Sequence, residues 1–275
     1  MTMVSLSRLT KQKDESSPKE TVLLITPPSA FLLDERVFMS LGILKVAASL
    51  EQRGYPVEFL DLSGIENFVE VAGIQAAQTK ANAVAITITT PQLPSAVRIV
   101  QKIREVNPDL RVIAGGPHVT LVHSAVKLEQ KRGVIGRAHK ALENLYDTFD
   151  VIVSGDGEAA VFEALKGNEK LIDADLPKGG LFMTNADYEA SPPPARHLVD
   201  VESYKYSIEG FPAVSLIAQL GCPFGCGFCG GRNSNMLRRI RTRSTESIVQ
   251  EIEHLHNTYG FTGFNFFDDE LNVNK

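Results

Sequence analysis

Short apolar runs alternate with segments of helical periodicity along the first part of the chain. Segments with apolar residues three and four apart predict helices at 41–53, 68–80 and 95–106, with a further helix after Glu158. The apolar runs predict strands at 21–25, 57–60, 83–87, 111–114 and 150–153. Strands that alternate with amphipathic helices are typical of a doubly wound parallel sheet. The pattern therefore predicts an α/β, Rossmann-like first domain over residues 21–166.

The pattern changes after residue 166. Residues 167–212 hold Gly and Pro clusters and predict a linker with one strand at 181–184. A strand at 213–220, a helix at 245–259 and a strand at 263–267 follow, with Ser244 as N-cap and Gly260 as the stop of the helix. This order predicts the beginning of a (β/α) barrel over residues 213–275.

Composition and charge narrow the class of protein. The 275 residues are 43% hydrophobic and 22% charged, with a net charge of −5, which does not indicate a nucleic-acid binder. No apolar run reaches the roughly 20 residues of a membrane helix, and the N-terminus has no signal-peptide pattern. We expect a cytoplasmic protein with no membrane partner, whose polar residues 1–20 form a disordered lead-in.

The only cysteines are Cys222, Cys226 and Cys229, spaced C-x3-C-x2-C in one glycine-rich loop. Three thiolates on a [4Fe–4S] cluster leave one iron open to a substrate or cofactor. Structural zinc prefers four protein ligands. The alternatives are a zinc knuckle that borrows His254 or His256 as its fourth ligand, and a loop without a metal.

This loop, with Phe228 before its last cysteine, resembles the signature of the radical S-adenosylmethionine (SAM) enzymes. The resemblance implies that the three cysteines bind the cluster, and that an electron cleaves SAM to methionine and a 5′-deoxyadenosyl radical. It also implies an external electron donor such as flavodoxin or ferredoxin. The residues expected to contact SAM are Phe228, Gly230, Asp268, Asp269 and Arg243.

Several motifs, in this order, resemble the cobalamin-binding domain that precedes the radical SAM unit in one subgroup of that family. They include Pro27-Pro28, Leu41-Gly42-Ile43-Leu44, Gly115-Gly116-Pro117-His118 and Gly155-Asp156-Gly157-Glu158. By resemblance, the cobalamin contacts are Pro27, Leu41, Gly42, Thr87, Gly115, Gly116, His118, Gly155, Gly157 and Glu158. Without the resemblance, these strand tips have an ordinary alternative as tight strand-to-helix turns.

Some of these residues admit more than one role. No Asp-x-His-x-x-Gly motif is present, so His118 is interpreted as a support of its loop or a contact to the corrin edge rather than a cobalt ligand. Glu158 begins a helix and is alternatively a cap. Arg238, Arg239, Arg241 and Arg243 form a basic stretch; such stretches are usually a solvated face, and Arg243 is the preferred functional residue.

The resemblance implies a cobalamin-dependent methyltransferase that acts on an unactivated carbon or phosphorus of a small molecule. The alternatives are a cobalamin-dependent cyclase or oxidoreductase, a cobalamin-binding or sensing module with an inert barrel stub, and a radical SAM enzyme that has lost cobalamin. The sequence stops after the second barrel strand. We therefore expect either a fragment of a longer protein or a second chain that completes the barrel.

Overall fold

The computed structural model describes residues 19–271 and residue 273; most of the predicted lead-in at 1–20 lies outside these residues. The first unit contains a six-stranded parallel sheet with the spatial order β2-β1-β3-β4-β5-β6. Its strands are β1 (Val22–Thr26), β2 (Val57–Asp61), β3 (Ala83–Thr87), β4 (Arg111–Gly115), β5 (Val151–Ser154) and β6 (Leu171–Asp173). The strands predicted between residues 21 and 153 are confirmed.

Strand β6 lies inside the region predicted as a linker. It extends the sheet by pairing with β5, with Leu171 opposite Ile152. The strand predicted at 181–184 is wrong, because Gly179 and Phe182 donate backbone hydrogen bonds back to Leu176 and Gly179 and close turns there. Local turn bonds hold the apolar run at 181–183, whereas Leu171–Asp173 pairs with the free edge of β5.

Helices cover both faces of the sheet. Successive strand residues point to opposite faces, so Leu23 and Ile25 pack in one apolar core and Val22 and Leu24 in another. The first core also contains residues of α2, α3, α4 and α5, and the second contains residues of α1 and α6. The doubly wound fold is therefore confirmed. The helices are α1 (Leu41–Gln52), α2 (Phe68–Gln78), α3 (Leu93–Val106), α4 (Pro117–Lys131), α5 (Arg137–Thr148) and α6 (Gly157–Lys166).

The second unit contains the predicted strand–loop–helix–strand order, but the single strand predicted at 213–220 is divided into two short strands, at Phe211–Leu216 and Gln219–Leu220, that belong to different sheets. Strands β8 and β11 pair in parallel, and helix α9 connects them. The side chain of Ser244 accepts a hydrogen bond from Ser247 N–H at the start of this helix, and Gly260 ends it with φ +75°. The elements of this part are α7 (Asn185–Ala190), β7 (Ser207–Ile208), β8 (Phe211–Leu216), β9 (Gln219–Leu220), α8 (Asn235–Arg238), β10 (Arg241–Thr242), α9 (Thr245–Tyr259) and β11 (Gly263–Phe266).

No helix among the described residues combines the length and the apolar character that a membrane span requires.

A buried group of charges fastens the second unit to the segment that precedes it. Arg196 and Glu251 are 3% and 5% exposed, and Arg196 Nη1 lies 2.6 Å from Glu251 Oε1. Arg243 binds the other carboxylate oxygen of Glu251, and Arg196 also donates to the carbonyl of Ser215 at 2.8 Å. Burial raises the pKa of Glu251, but the two guanidinium groups outweigh burial and lower it overall. Glu251 is therefore a charged centre between two arginines.

We expect Glu251→Gln to destabilise the protein by about 3–5 kcal/mol, because it leaves two buried guanidinium groups without their counter-charge. Urea unfolding followed by circular dichroism measures this change. Glu253 lies on the exposed side of the same helix, so Glu253→Gln is the control. We expect it to change the free energy of unfolding by no more than about 0.5 kcal/mol. Equal midpoints for the two variants would show that the buried group does not hold the units together.

Candidate functional site

A cavity of about 300 Å³ lies between the sheet and the second unit. Its wall on the sheet side is apolar and includes Leu24, Ala85 and Val153. On the other side it is closed by residues of the second unit, namely Ile217, Leu220, Met236 and Leu237. An apolar cavity with a few polar groups at the junction of two units is a typical ligand site.

Most residues predicted to contact cobalamin meet at this cavity. Strands β3, β4 and β5 run in parallel, so the residues at and just beyond their carboxyl ends gather at one edge of the sheet. The start of α1 closes the same edge. The predicted residues that line the cavity are Leu41, Gly42, Thr87, Gly115, Gly116, Gly155, Gly157 and Glu158.

Pro27 and His118 are not among the residues that line the cavity. The carbonyl of buried Pro27 accepts a hydrogen bond from Gln92 Nε2 at 2.8 Å. His118 lies in the first turn of α4, where its Nδ1 is 3.0 Å from Thr90 Oγ1 and its N–H donates to the carbonyl of Ile88. Burial lowers the pKa of His118. The structure thus gives His118 contacts that support its loop, as one of the two interpretations expects.

The glycines that line the cavity differ in whether the fold requires a glycine at their position. Gly116 and Gly155 have φ +96° and +106°, and a Cβ on Gly155 would lie 2.6 Å from the carbonyl carbon of Ala174. The fold itself therefore requires these two glycines. A Cβ on Gly42 would meet nothing within 4 Å, and Gly42 lines the cavity. Packing against neighbouring residues therefore does not require a glycine at position 42. The missing side chain leaves open space in the lining of the cavity.

The cavity also has a polar region that the sequence analysis missed. Lys45 Nζ is 2.6 Å from Ser191 Oγ, donates to the carbonyl of Pro192 and lies 5.2 Å from the centre of the Tyr188 ring. Burial lowers the pKa of Lys45 and raises that of Tyr188. Both residues line the cavity with Glu158. Lys45 follows Leu41 by one helical turn, a spacing that marks it as a candidate; nothing in the sequence marks Tyr188.

The three cysteines lie on an exposed loop between β9 and β10, which pair in antiparallel fashion. Cys222 is partly buried and donates its N–H to the carbonyl of Leu237 at 2.9 Å, whereas Cys226 and Cys229 are exposed. Among the residues that the structure describes, no three His, Cys, Asp or Glu side chains are grouped so as to hold a metal ion. The assignment of the cysteines as cluster ligands therefore stays a prediction.

The donor set nevertheless suits an iron–sulfur cluster. Three soft thiol ligands occur on one accessible loop, and the loop contains glycines whose added Cβ atoms would meet nothing closer than 3.5 Å at Gly225, Gly227 and Gly230. The histidines of the zinc alternative lie on α9 and bond locally. His254 Nδ1 is 3.2 Å from Thr258 Oγ1, and His256 Nδ1 is 2.9 Å from the carbonyl of Phe261.

The loop is anchored at its start by the carboxylates that were expected to contact SAM. Asp268 accepts hydrogen bonds from the N–H groups of Ala218 and Gln219, both at 2.9 Å, and Asp269 accepts one from Gly221 at 2.9 Å. Gly221 has φ +86°, and a Cβ there would lie 2.2 Å from the carbonyl oxygen of Arg239. These contacts give both carboxylates a role in shaping the loop. Their contact with SAM stays a prediction.

The other predicted SAM contacts are dispersed. Phe228 is 95% exposed on the loop, and Gly230 lies beside Leu121 of α4. Arg243 lines the cavity and contacts Glu251 and Ser247. The structure brings Arg243, but not Phe228 or Gly230, to the cavity.

The expectation that the arginine stretch is a solvated face is wrong for Arg241. This side chain is fully buried, and its Nη1 lies 2.5 Å from Asp156 Oδ2. Burial, and then the charge of Glu158, raises the pKa of Asp156 to about 7, against the opposing effect of Arg241. Spacing in the sequence does not reveal this pair, because the two residues are 85 positions apart.

Comparison with known proteins agrees with the geometry of the first unit. Residues 35–165 match the model of the B12-binding domain, and they supply the sheet edge that lines the cavity.

Relatives and solved structures extend the comparison to the second unit. The chain is 27% identical over 268 residues to an uncharacterized methyltransferase of Pyrococcus horikoshii, covering 92% of this chain and 54% of that protein. It is also 27% identical over 205 residues to the anaerobic magnesium-protoporphyrin IX monomethyl ester cyclase of Cereibacter sphaeroides, covering 65% of this chain and 33% of the cyclase. The chain thus spans about half of the first relative and a third of the second.

Two solved structures share the fold across both units. The radical SAM methyltransferase TsrM of Kitasatospora setae, solved with tryptophan and a SAM analogue, has a TM-score of 0.63 at 17% identity. The matched region covers 93% of this chain and 48% of TsrM. The cobalamin-dependent SAM radical enzyme OxsB, with aqua-cobalamin and SAM bound, has a TM-score of 0.64 at 15% identity, covering 92% of this chain and 34% of OxsB. Both units of this chain therefore share the fold of these two solved structures.

The raised pKa of Asp156 predicts a pH-dependent stability. The folded protein binds this proton more tightly than the unfolded chain, whose aspartate has the ordinary pKa of 3.8. The stabilisation from proton binding is therefore complete below about pH 4 and is lost as the pH rises towards about 7. We expect the unfolding free energy of the native protein to fall relative to that of Asp156→Asn over this window.

Urea midpoints measured from pH 4 to 8 test this expectation. Asp109→Asn, at an exposed position, is the control and is expected to follow the native profile. Parallel profiles for Asp156→Asn and the native protein would show that the pKa of Asp156 is not raised.

Proposed function

We propose that this chain is the cofactor-binding part of a cobalamin-dependent radical SAM enzyme, which cleaves SAM reductively and transfers a methyl group to a small molecule. One observation carries the proposal: the cavity of the B12-binding domain is closed by the segment that holds the cysteine loop. Leu237 lines the cavity, and its carbonyl accepts the N–H of Cys222. A cofactor in the cavity therefore lies next to the predicted cluster site.

The B12-binding domain supplies the features that cobalamin requires. The apolar sheet face accommodates the apolar parts of a large ligand, and the strand-tip glycines let backbone N–H and C=O groups approach its amide side chains. Lys45, Tyr188 and Glu158 add polar groups on one side. When bound, cobalamin would supply a transferable methyl group, and the protein's part is to position it and to exclude water.

The loop supplies the features that a three-cysteine cluster requires. Cys222, Cys226 and Cys229 would hold the cluster, and the cluster would supply the electron that cleaves SAM. Asp268 and Asp269 hold the start of the loop by its backbone, so they fix where the first cysteine lies. Phe228 and Gly230 are exposed beside the cysteines and remain the proposed contacts for the rest of SAM.

The exposed loop also makes the cluster accessible to an external reductant. Arg232 and Arg238 bind carbonyl groups of the loop, namely those of Gly227, Pro223 and Phe224, and so place positive charge around the cysteines. An acidic electron-transfer protein such as flavodoxin or ferredoxin fits this charge.

Methyl transfer is favoured over other outcomes by the comparisons. The relative that covers most of this chain is named as a methyltransferase, and TsrM is a methyltransferase of the same fold. The second candidate is an oxidative ring closure, which the similarity to the magnesium-protoporphyrin cyclase supports. Both use the same cofactor sites, and mass spectrometry distinguishes a product that has gained a methyl group from one that has not.

We expect Cys226→Ala to abolish the cluster and the formation of 5′-deoxyadenosine, because the loop has no spare thiol to replace it. The native chain, reconstituted anaerobically with iron, sulfide and hydroxocobalamin, should hold about four iron atoms. Added SAM and dithionite should then yield 5′-deoxyadenosine, detected by mass spectrometry. Cobalamin binding to the variant should persist, since Cys226 does not line the cavity.

His256→Ala is the matched control, because it removes a ligand of the zinc alternative and leaves the cysteines intact. It should retain the cluster and the product. Zinc bound in place of iron, and lost in His256→Ala, would overturn the assignment. Bound cluster and cobalamin without 5′-deoxyadenosine would favour a binding module.

We expect Gly42→Leu to weaken hydroxocobalamin binding by about tenfold or more, equivalent to about 1.4 kcal/mol, because Gly42 belongs to the cavity lining and a bulky side chain there would compete with the ligand for space. Gly42→Ala should keep most of the affinity and gain helix stability of about 0.5–1 kcal/mol. Titration followed by the visible spectrum of cobalamin measures both. Gly180→Leu is the control, since a Cβ at Gly180 also meets nothing within 4 Å but Gly180 is outside the cavity lining. Unchanged affinity in Gly42→Leu would place cobalamin elsewhere.

A further inference from the structure

The segment that closes the cysteine loop, residues 234–241, is held by two buried carboxylates of the sheet unit. Asp156 follows β5, and Asp175 follows β6. Both lie just beyond the carboxyl ends of neighbouring strands, at the edge that forms the cavity. Neither was predicted to have a role from the sequence.

Asp175 holds the beginning of this segment. It is fully buried, and one of its carboxylate oxygens accepts hydrogen bonds from Ser234 Oγ at 2.9 Å and from Met236 N–H at 2.6 Å. Its own carbonyl accepts a bond from Asn235 Nδ2 at 3.0 Å. These contacts fix helix α8 against the sheet unit.

Asp156 holds the end of the segment through Arg241. The guanidinium of Arg241 binds Asp156 at 2.5 Å and also donates to the carbonyls of Met236 and Arg239, both at 3.3 Å. Arg241 is fully buried. A buried ion pair is costly to separate, so Arg241 and the carbonyls that it binds move with Asp156.

These contacts run from the cavity to the first cysteine. Asp156, Met236 and Leu237 line the cavity, and the carbonyl of Leu237 accepts the N–H of Cys222. Arg241 itself is outside the cavity lining and faces Asp156 rather than the space that a cofactor would fill. Its position is therefore between the two cofactor sites.

We propose that Arg241 is a positioning residue that couples occupancy of the cavity to the placement of the cysteine loop. A ligand that contacts Asp156 and Leu237 restricts the guanidinium and the segment that it binds, and through Leu237 it restricts Cys222. The coupling rests on the proposed function, in which cobalamin fills the cavity and the cluster forms on the loop. If Arg241 only supported folding, its replacement would not change how the occupancy of one site affects the affinity of the other.

Thermodynamic reciprocity supplies the test. If the sites are coupled, the cluster must change the affinity for cobalamin by the same factor by which cobalamin changes the affinity for the cluster. Hydroxocobalamin is titrated anaerobically into the chain with and without its reconstituted cluster at pH 8, above the pKa of about 7 of Asp156. We expect the cluster to tighten binding by about fivefold or more in the native chain.

Arg241→Met and Asp156→Asn should reduce this factor to within about twofold of unity. Arg239→Met, at an exposed position in the same stretch, should keep the native factor. Circular dichroism establishes that each variant is folded. If Arg241→Met does not fold, Arg241→Lys keeps the buried charge without the planar fork, and it should lower the factor as well.

Hydrogen exchange measures the same coupling by a second, independent readout. Hydroxocobalamin should slow amide exchange in peptides that cover residues 219–230 of the native chain, and this protection should be lost in Arg241→Met. A native factor of one, the native factor retained in Arg241→Met, or unchanged exchange of the loop would each overturn the coupling while leaving the proposed function intact. Failure of the native chain to bind cobalamin or iron would instead overturn the proposed function.

Discussion

Buried ion pairs between arginines and carboxylates hold the cysteine-bearing unit against the sheet unit and against the segment that connects them. Arg241 joins the segment after the cysteine loop to Asp156 at the tip of β5, and Arg196 and Arg243 enclose Glu251. Charges buried in this way are tolerated only with close partners, so the pairs permit few alternative arrangements. The cavity and the cysteine loop are each built on residues that these pairs hold.

The cavity results from two constraints that meet at one edge of the sheet. Parallel strands bring their carboxyl ends together, and the strand-to-helix turns there require glycines such as Gly116 and Gly155 for close backbone packing. Gly42 is different, because no neighbouring atom requires a glycine at this position. The cavity therefore lies where the apolar strand residues, the open position at Gly42 and the second unit meet.

The cysteine loop combines fixed ends with an exposed centre. Asp268 and Asp269 bind the backbone at its start, and Asp175 and Arg241 hold the segment that follows it. Cys226 and Cys229 lie exposed between these anchors. The bonds that hold the ends of the loop involve none of the cysteine side chains, so these side chains stay available as ligands.

The strands between residues 21 and 153, the cysteine spacing and the glycine-bearing strand tips depend on local patterns, so they can be predicted from the sequence alone. Periodicity places Leu23 and Val22 on opposite faces, and C-x3-C-x2-C marks three soft ligands. Only the tertiary structure decided that Leu171 continues the sheet, that Arg241 is buried, and that Lys45 and Tyr188 share the cavity with Glu158. These outcomes depend on contacts between distant parts of the chain. A charged residue is expected to be solvated unless a buried partner is known, and the partner of Arg241 lies 85 residues away.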